Sequence, residues 1–160
     1  KYPSKVKVSL GFSTEIGKKI YAGSDIYLMR LVGDTSEIKN PGEFINITVP
    51  GYYLRRPISV CDYDKNELTL IYKTVGEGTA AMSKYENGTE LDILTGLGNG
   101  YDTSLSGEAP LLLGGGVGVP PMYMLCKELI KEGKKDKLKN MFLPILGCIC
   151  CVLSGVDAAA

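Results

Sequence analysis

The sequence predicts an all-β antiparallel barrel followed by the start of an α/β, Rossmann-like lobe. Two observations carry this. Residues 5–110 read as short apolar runs alternating at every second position, broken by Gly, Asn and Asp turns. After Pro110 the texture changes to a continuous apolar triplet, a glycine run and apolar residues at helical spacing. A chain of 160 residues has room for a small domain and part of another.

The elements follow in order. Val6 and Val8 alternate with Lys5 and Lys7, and Ile26, Leu28 and Leu31 mark a second strand. Alternation resumes from Phe44 to Val49 after the turn at Pro41-Gly42. Ile58 to Cys61 continues a strand that begins at the arginines, and Asp62-Tyr63-Asp64-Lys65-Asn66 predicts a hairpin turn into a return strand from Leu68 to Lys73. A short helix is expected with Thr79 as its cap and Asn87-Gly88 at its end, then a strand from Glu90 to Leu94. Leu111-Leu112-Leu113 reads as a parallel strand buried on both faces. A helix starting at Pro120 or Pro121 has Met122, Leu125, Cys126, Leu129 and Ile130 at helical spacing and stops at Gly133. Met141 to Leu146 is the next strand. The expected divisions are 1–107, 108–147 and an aberrant tail at 148–160.

Composition narrows the function. Hydrophobic residues make 44% and charged residues 22%, which is globular, and 18 basic residues balance 18 acidic ones, so no overall field recruits nucleic acid or an anionic membrane. Histidine is absent, which removes the usual proton shuttle near neutral pH and points to a bound cofactor for any reactivity. The start of the chain lacks the apolar core of a signal peptide, and the apolar stretch Met141 to Leu153 is shorter than the ~20 residues a membrane helix needs. With Cys61 and Cys126 isolated in apolar patterns, a reducing, cytoplasmic setting is expected. The C-x-C-C spacing of Cys148, Cys150 and Cys151 fits neither zinc pairs nor an iron–sulfur site, so no metal ligands are assigned.

Three segments could hold a phosphate-bearing cofactor. Arg55-Arg56-Pro57-Ile58-Ser59 places a guanidinium fork and a hydroxyl on one strand; the competing reading is a surface arginine pair beside an edge-strand proline. Gly76-Glu77-Gly78-Thr79 leads into a helix start, where free amides attract anions; an ordinary capped turn is the alternative. Gly114-Gly115-Gly116-Val117-Gly118-Val119-Pro120-Pro121 has more glycine than a turn requires but lacks the third glycine of the dinucleotide fingerprint.

Taken together, these motifs, with Pro41-Gly42-Glu43-Phe44 and Gly96-Leu97-Gly98-Asn99-Gly100-Tyr101, resemble the electron transfer subunits of the two-component, NAD-dependent dihydroorotate dehydrogenases, in the ferredoxin–NADP⁺ reductase superfamily. The resemblance implies a FAD-binding barrel in which Arg56, Pro57, Ile58 and Ser59 hold the flavin, Arg56 near the pyrophosphate and Ser59 near N5. Ile58 stands where many reductases carry a stacking tyrosine. It further implies that Ile71, Tyr72 and Lys73 line FAD from the next strand, that Gly78 and Thr79 meet its phosphates, and that Gly116 and Gly118 lie beneath NAD(H). Electrons would pass from NADH through FAD and a [2Fe-2S] cluster to the dihydroorotate dehydrogenase catalytic subunit in pyrimidine biosynthesis. After Gly147 the chain departs from that pattern, so a truncated or frame-shifted lobe without cluster ligands is expected. Another ferredoxin–NADP⁺ reductase-like flavin subunit and a non-catalytic, FAD-binding remnant are the alternatives.

Overall fold

The computed structural model describes residues 8–19, 25–134 and 139–142. Six strands, β1 (Val8–Lys19), β2 (Ile26–Val32), β3 (Phe44–Ile47), β4 (Arg56–Tyr63), β5 (Glu67–Lys73) and β6 (Glu90–Leu97), form a closed barrel in the order β1-β2-β5-β4-β3-β6. Every neighbouring pair is antiparallel, and β6 closes onto β1, so each of the six has a partner on both sides.

Alternation sorts the side chains into two layers. Met29, Leu31, Ile45, Ile47, Leu68 and Leu70 are fully buried in the barrel. Leu28 is only half-buried, because on β2 the inward set is Met29 and Leu31. The outer face of the same sheet carries a second apolar layer, Ile26, Cys61 and Ile71, which Val119 covers from the second unit. That is why Leu70, Ile71 and Tyr72 are buried in succession on an antiparallel strand.

The connections follow from local chemistry. Asp64 turns the β4–β5 hairpin, its Oδ1 accepting from the amides of Asn66 at 3.0 Å and Glu67 at 2.9 Å. Val49-Pro50-Gly51-Tyr52 is a tight turn with Gly51 at φ +84° and the Tyr52 amide donating to the Val49 carbonyl at 3.0 Å. The Gly96 to Tyr101 motif is a clasp. A Cβ on Gly100 would stand 2.4 Å from Asn40 Cβ, one on Gly42 would stand 2.5 Å from the Tyr101 ring, and the Tyr101 amide donates to the Pro41 carbonyl at 2.7 Å. The buried Glu43 carboxylate secures the other side by accepting from the Lys39 and Asn40 amides.

The short helix differs from expectation at both ends. Helix α1 (Glu77–Met82) has Gly76 as its N-cap and Ser83 as its C-cap; Asn87-Gly88 belongs to the turn before β6. Thr79 is one turn inside. Its hydroxyl reaches back, accepting from the amides of Val75 at 3.0 Å and Gly76 at 3.3 Å and donating to the Gly76 carbonyl at 3.1 Å. β6 also runs past Leu94 to Leu97.

The second unit is β7 (Leu111–Gly114), α2 (Pro120–Lys131) and β8 (Lys139–Phe142), with β7 and β8 parallel. Pro120 and Pro121 occupy the first helical positions, where a missing N–H costs nothing. Gly133, at φ +79°, ends α2: its amide donates to Ile130 and that of Lys134 to Leu129. The expectation that β7 is buried on both faces is wrong for the described residues. Leu112 is buried on Leu125 and Leu129 of α2, whereas Leu111 and Leu113 are 58% and 57% exposed, because α2 covers one face only. β8 begins two residues before the strand expected from Met141; Leu146 and Pro144 lie outside the described residues, as do Lys5, Val6, Lys7 and the tail at 148–160 with Cys148, Cys150 and Cys151. Lys127 ties α2 to the barrel through Asp62 of β4 at 2.8 Å.

Candidate functional site

The β4–β5 ladder stops short. It pairs Tyr63 with Leu68, Asp62 with Thr69 and Val60 with Leu70, with a bulge at Cys61. Beyond Val60, residues 56–59 pair only with β3 and residues 71–73 only with β2. An extra residue bends and twists a strand, and Pro57 has no N–H to offer a ladder, so the two strands part. The gap is a cleft of about 380 Å³ lined by Arg56, Pro57, Ile58, Ser59, Ile71, Tyr72, Lys73, Val75, Thr79 and Val117. That volume is in the range of small-molecule sites.

The cleft has polarity. Continuing the register from Val60 and Leu70 puts Lys73 opposite Pro57, beside Arg56, so both cations sit at the open end. No carboxylate is among the lining residues. Ile58, Ile71 and the ring of Tyr72 lie toward the closed end. Tyr72 is stacked on Tyr27 with ring centroids 5.8 Å apart. Burial, then the neighbouring Tyr27 and Tyr85, raise its phenol above the usual range, so it stays neutral.

The two adjacent arginines have different fates. Arg55 is structural: its Nη2 is 2.7 Å from Asp92 Oδ2, and Nη1 reaches the carbonyls of Asn46 and Asp92. Asp92 also accepts from Thr48 Oγ1 at 2.9 Å, and the Arg55 hydrogen bond holds its carboxyl below the ordinary value. Arg56 has no carboxylate partner among the described residues. Its guanidinium donates to the Leu54 carbonyl, lies 5.2 Å from the centroid of the Tyr52 ring, and rests against Gly78, where a Cβ would come within 2.0 Å of Nε. A cation is therefore packed at the amino end of α1, an arrangement that an anion between them would relieve.

The remaining sequence candidates are placed as follows. Gly78 touches the cleft through Arg56, and Thr79 lines it with its hydroxyl committed to the preceding turn. Gly116 and Gly118 are not in the lining; they flank Val117, which is. Gly116 adopts φ +55°, and Gly114 is closely packed, since its Cβ would be 3.2 Å from the Gly118 carbonyl oxygen. Gly115 and Gly118 face open space, so no neighbour among the described residues demands glycine there. Sequence reasoning missed Val75 and Val117; Val117 had a signal, as the one side chain inside the glycine run. Cys61 lies beneath the cleft in the outer apolar layer, and burial, helped by Asp62, pushes its thiol up to about 12, far from a nucleophile's range. Among the described residues no cluster of His, Cys, Asp or Glu could hold a metal.

No family model matches the chain. Curated relatives do. It is 41% identical over 128 residues to the dihydroorotate dehydrogenase B (NAD(+)) electron transfer subunit of Fusobacterium nucleatum, covering 75% of this chain and 49% of that protein. The subunit of the same name from Bacillus pumilus is 46% identical over 116 residues, covering 68% and 45%. Over the matched segment the chain is similar to these electron transfer subunits. It spans about half the length of the curated relatives it matches. Solved structures share the fold of this chain. The FAD/NAD binding domain of a nitric oxide dioxygenase from Vibrio cholerae superposes with a TM-score of 0.68 at 18% identity, covering 85% of this chain and 62% of that one. The cytochrome b5 reductase domain of Ulva prolifera nitrate reductase gives 0.62 at 15%, covering 85% and 72%. The ferredoxin reductase-like barrel expected from the sequence is thus the fold observed, with a helix following it.

Proposed function

We propose that the cleft binds FAD and that this chain is the flavin-bearing part of an NADH-linked electron transfer subunit. The observation that carries the reading is Arg56, a half-buried guanidinium without a carboxylate, at the open end of a slot whose other end is apolar. In this reading residues 1–107 form the FAD-binding barrel and 108–147 open the NAD-binding lobe. The flavin ring lies between the parted strands, against Pro57, Ile58 and Ser59 on one side and Ile71 and Tyr72 on the other. Arg56 grips the diphosphate, with Lys73 and the backbone at Gly78 and Thr79 beside it. Ser59, exposed on β4, sets its hydroxyl near flavin N5. Val117, held by Gly116 and Gly118, brings the second unit against the ring, and the open space at Gly115 and Gly118 admits NAD(H).

FAD, when bound, supplies the two-electron and one-electron chemistry. The chain's own residues bind, orient and exclude water, which suits a protein with no histidine and a neutral Tyr72. On the same resemblance we infer that the acceptor is a dihydroorotate dehydrogenase catalytic subunit, reached through a [2Fe-2S] cluster for which the described residues offer no ligands. No described helix is long and apolar enough to cross a membrane, and a cytoplasmic location is part of the same reading.

Absorption of the purified chain tests this. Flavin bands after FAD addition and desalting support the site, and their bleaching by NADH supports the NADH-linked role. Flavin bands that NADH leaves unchanged refute that role for this chain. A chain that retains no flavin refutes the site.

A further inference from the structure

Helix α2 presents two faces. Leu125 and Leu129 bury Leu112 of β7, with Met122 and Cys126 beside them. Val119, Tyr123 and Lys127, each four residues on from the last, face the barrel instead. Val119 and Tyr123 cover Ile26, Cys61 and Ile71. About 12 Å along the helix from Val119, Lys127 Nζ bonds both carboxylate oxygens of Asp62, at 2.8 and 3.0 Å, and lies 5.4 Å from the centroid of the Tyr123 ring. Asp62 directly follows the bulge at Cys61, where β4 leaves β5 and the cleft opens.

The covalent connection leaves α2 room to pivot. The Tyr101 amide is bound to the barrel at the Pro41 carbonyl. Thr103 Oγ1 donates instead to Glu132 at 2.6 Å, and Lys134 Nζ to Ser106 Oγ at 2.6 Å, both at the carboxyl end of α2. One residue, Asp102, therefore separates the barrel-bound part of the linker from the part bound to α2. Val117, which lines the cleft, stands before the opposite end of the helix, so a small rotation about Asp102 becomes a displacement at the cleft mouth. Apolar contact at Val119 is non-directional and leaves that angle free, whereas a second, polar anchor fixes it.

We propose that Lys127 is a positioning residue, whose bond to Asp62 sets the angle of α2 and so holds Val117 over the cleft. The effect on a flavin rests on the FAD reading; the pivot does not. The two side chains are 41% and 29% exposed, so salt weakens this pair where it would spare a buried one. Cys61 reports the closed state, because it is fully buried in the layer that Val119 and Tyr123 cover.

The test uses the 160-residue chain, Lys127→Met, which keeps an apolar stem, and Lys127→Arg, which keeps the charge. Thermal unfolding without ligand checks that each is folded. Labelling of Cys61 by methyl methanethiosulfonate, a faster thiol reagent than iodoacetamide, is followed by mass spectrometry of its peptide and reads the pivot. Iodide quenching of bound FAD at constant ionic strength reads the cover. The expected result is about fivefold faster Cys61 labelling in Lys127→Met, a flavin about twofold more open to iodide, and recovery of both in Lys127→Arg. Sodium chloride at about 0.5 M should speed labelling of the unaltered chain and leave Lys127→Met as it was. Cys61 equally protected in Lys127→Met overturns the proposal, and so does faster labelling that persists in Lys127→Arg. Flavin equally shielded in a variant whose Cys61 has opened overturns the cover while the FAD reading stands. A chain that retains no flavin refutes the FAD reading, and Cys61 alone then decides the pivot.

Discussion

Gly78→Ala separates stability from binding, and the structure sets both magnitudes. Gly78 is not at positive φ, so alanine meets no backbone strain, and at a helical position it gains up to about 1 kcal/mol over glycine. For a chain of this size that raises the melting temperature by about 2–4 °C at most. The cost falls on Arg56. The new Cβ would stand 2.0 Å from Nε, 2.5 Å from Nη2 and 2.6 Å from Cζ, and since these atoms end a flexible side chain, the guanidinium retreats rather than the backbone. It must move by roughly 1.4 Å to reach an ordinary contact of 3.4 Å. A charge-assisted hydrogen bond is worth about 1.5–3 kcal/mol, so the displaced arginine costs FAD about 10- to 100-fold in affinity. Thermal unfolding without ligand gives the first quantity and flavin titration the second. Gly78→Ala on an Arg56→Ala background should add nothing, because the two changes act through one guanidinium. A Gly78→Ala protein that binds FAD as tightly as the unaltered chain would refute the placement of Arg56 at the diphosphate.

Gly100→Ala is expected to destabilise by about 2–4 kcal/mol, since it combines φ +69° with contacts of 2.4 Å to Asn40 Cβ and 3.0 Å to the Pro41 carbonyl oxygen; Gly115→Ala, with nothing within 4 Å, should stay within about 0.5 kcal/mol in the same urea titration. Asp92 is held below its ordinary value by the Arg55 hydrogen bond, so the stability it contributes is complete above the unfolded value near 3.8 and is lost as pH falls through the lower folded one. Urea midpoints for Asp92→Asn should therefore be lower than those of the unaltered chain at pH 7 and converge with them in acid; parallel curves would contradict the linkage. With its thiol at about 12, Cys61 is about one part in ten thousand thiolate at pH 8, so mass spectrometry of its peptide should show no alkylation by iodoacetamide in the native protein and full alkylation in urea.

Much of the barrel was legible because its signals are local. Alternation at Phe44, Ile45, Asn46 and Ile47 and the polar turn at Asp64 need only neighbouring residues to be read. The glycine run announced a turn into a helix for the same reason, and prolines at the first helical positions confirmed where it starts. The capping of α1 was not legible: threonine suits an N-cap, but Gly76 takes the extended conformation and leaves Thr79 to bond backward. The burial of Leu111 and Leu113 was misread because a continuous apolar run shows what a strand can bury, while the number of covering layers depends on segments far along the chain.

By itself the sequence determined the succession of most elements along the chain and the antiparallel then parallel character of the two units. Each of these depends on residue type and short spacing. Only the tertiary structure decided that Arg55 is spent on Asp92 while Arg56 has no carboxylate partner among the described residues, since their difference is one step along a pleated strand and a carboxylate from β6. It also decided that the clasp glycines at 96, 98 and 100 serve packing. The cleft itself belongs to no segment: it exists because the ladder between β4 and β5 ends at Val60 and Leu70, and where two strands part is settled by how a whole barrel closes.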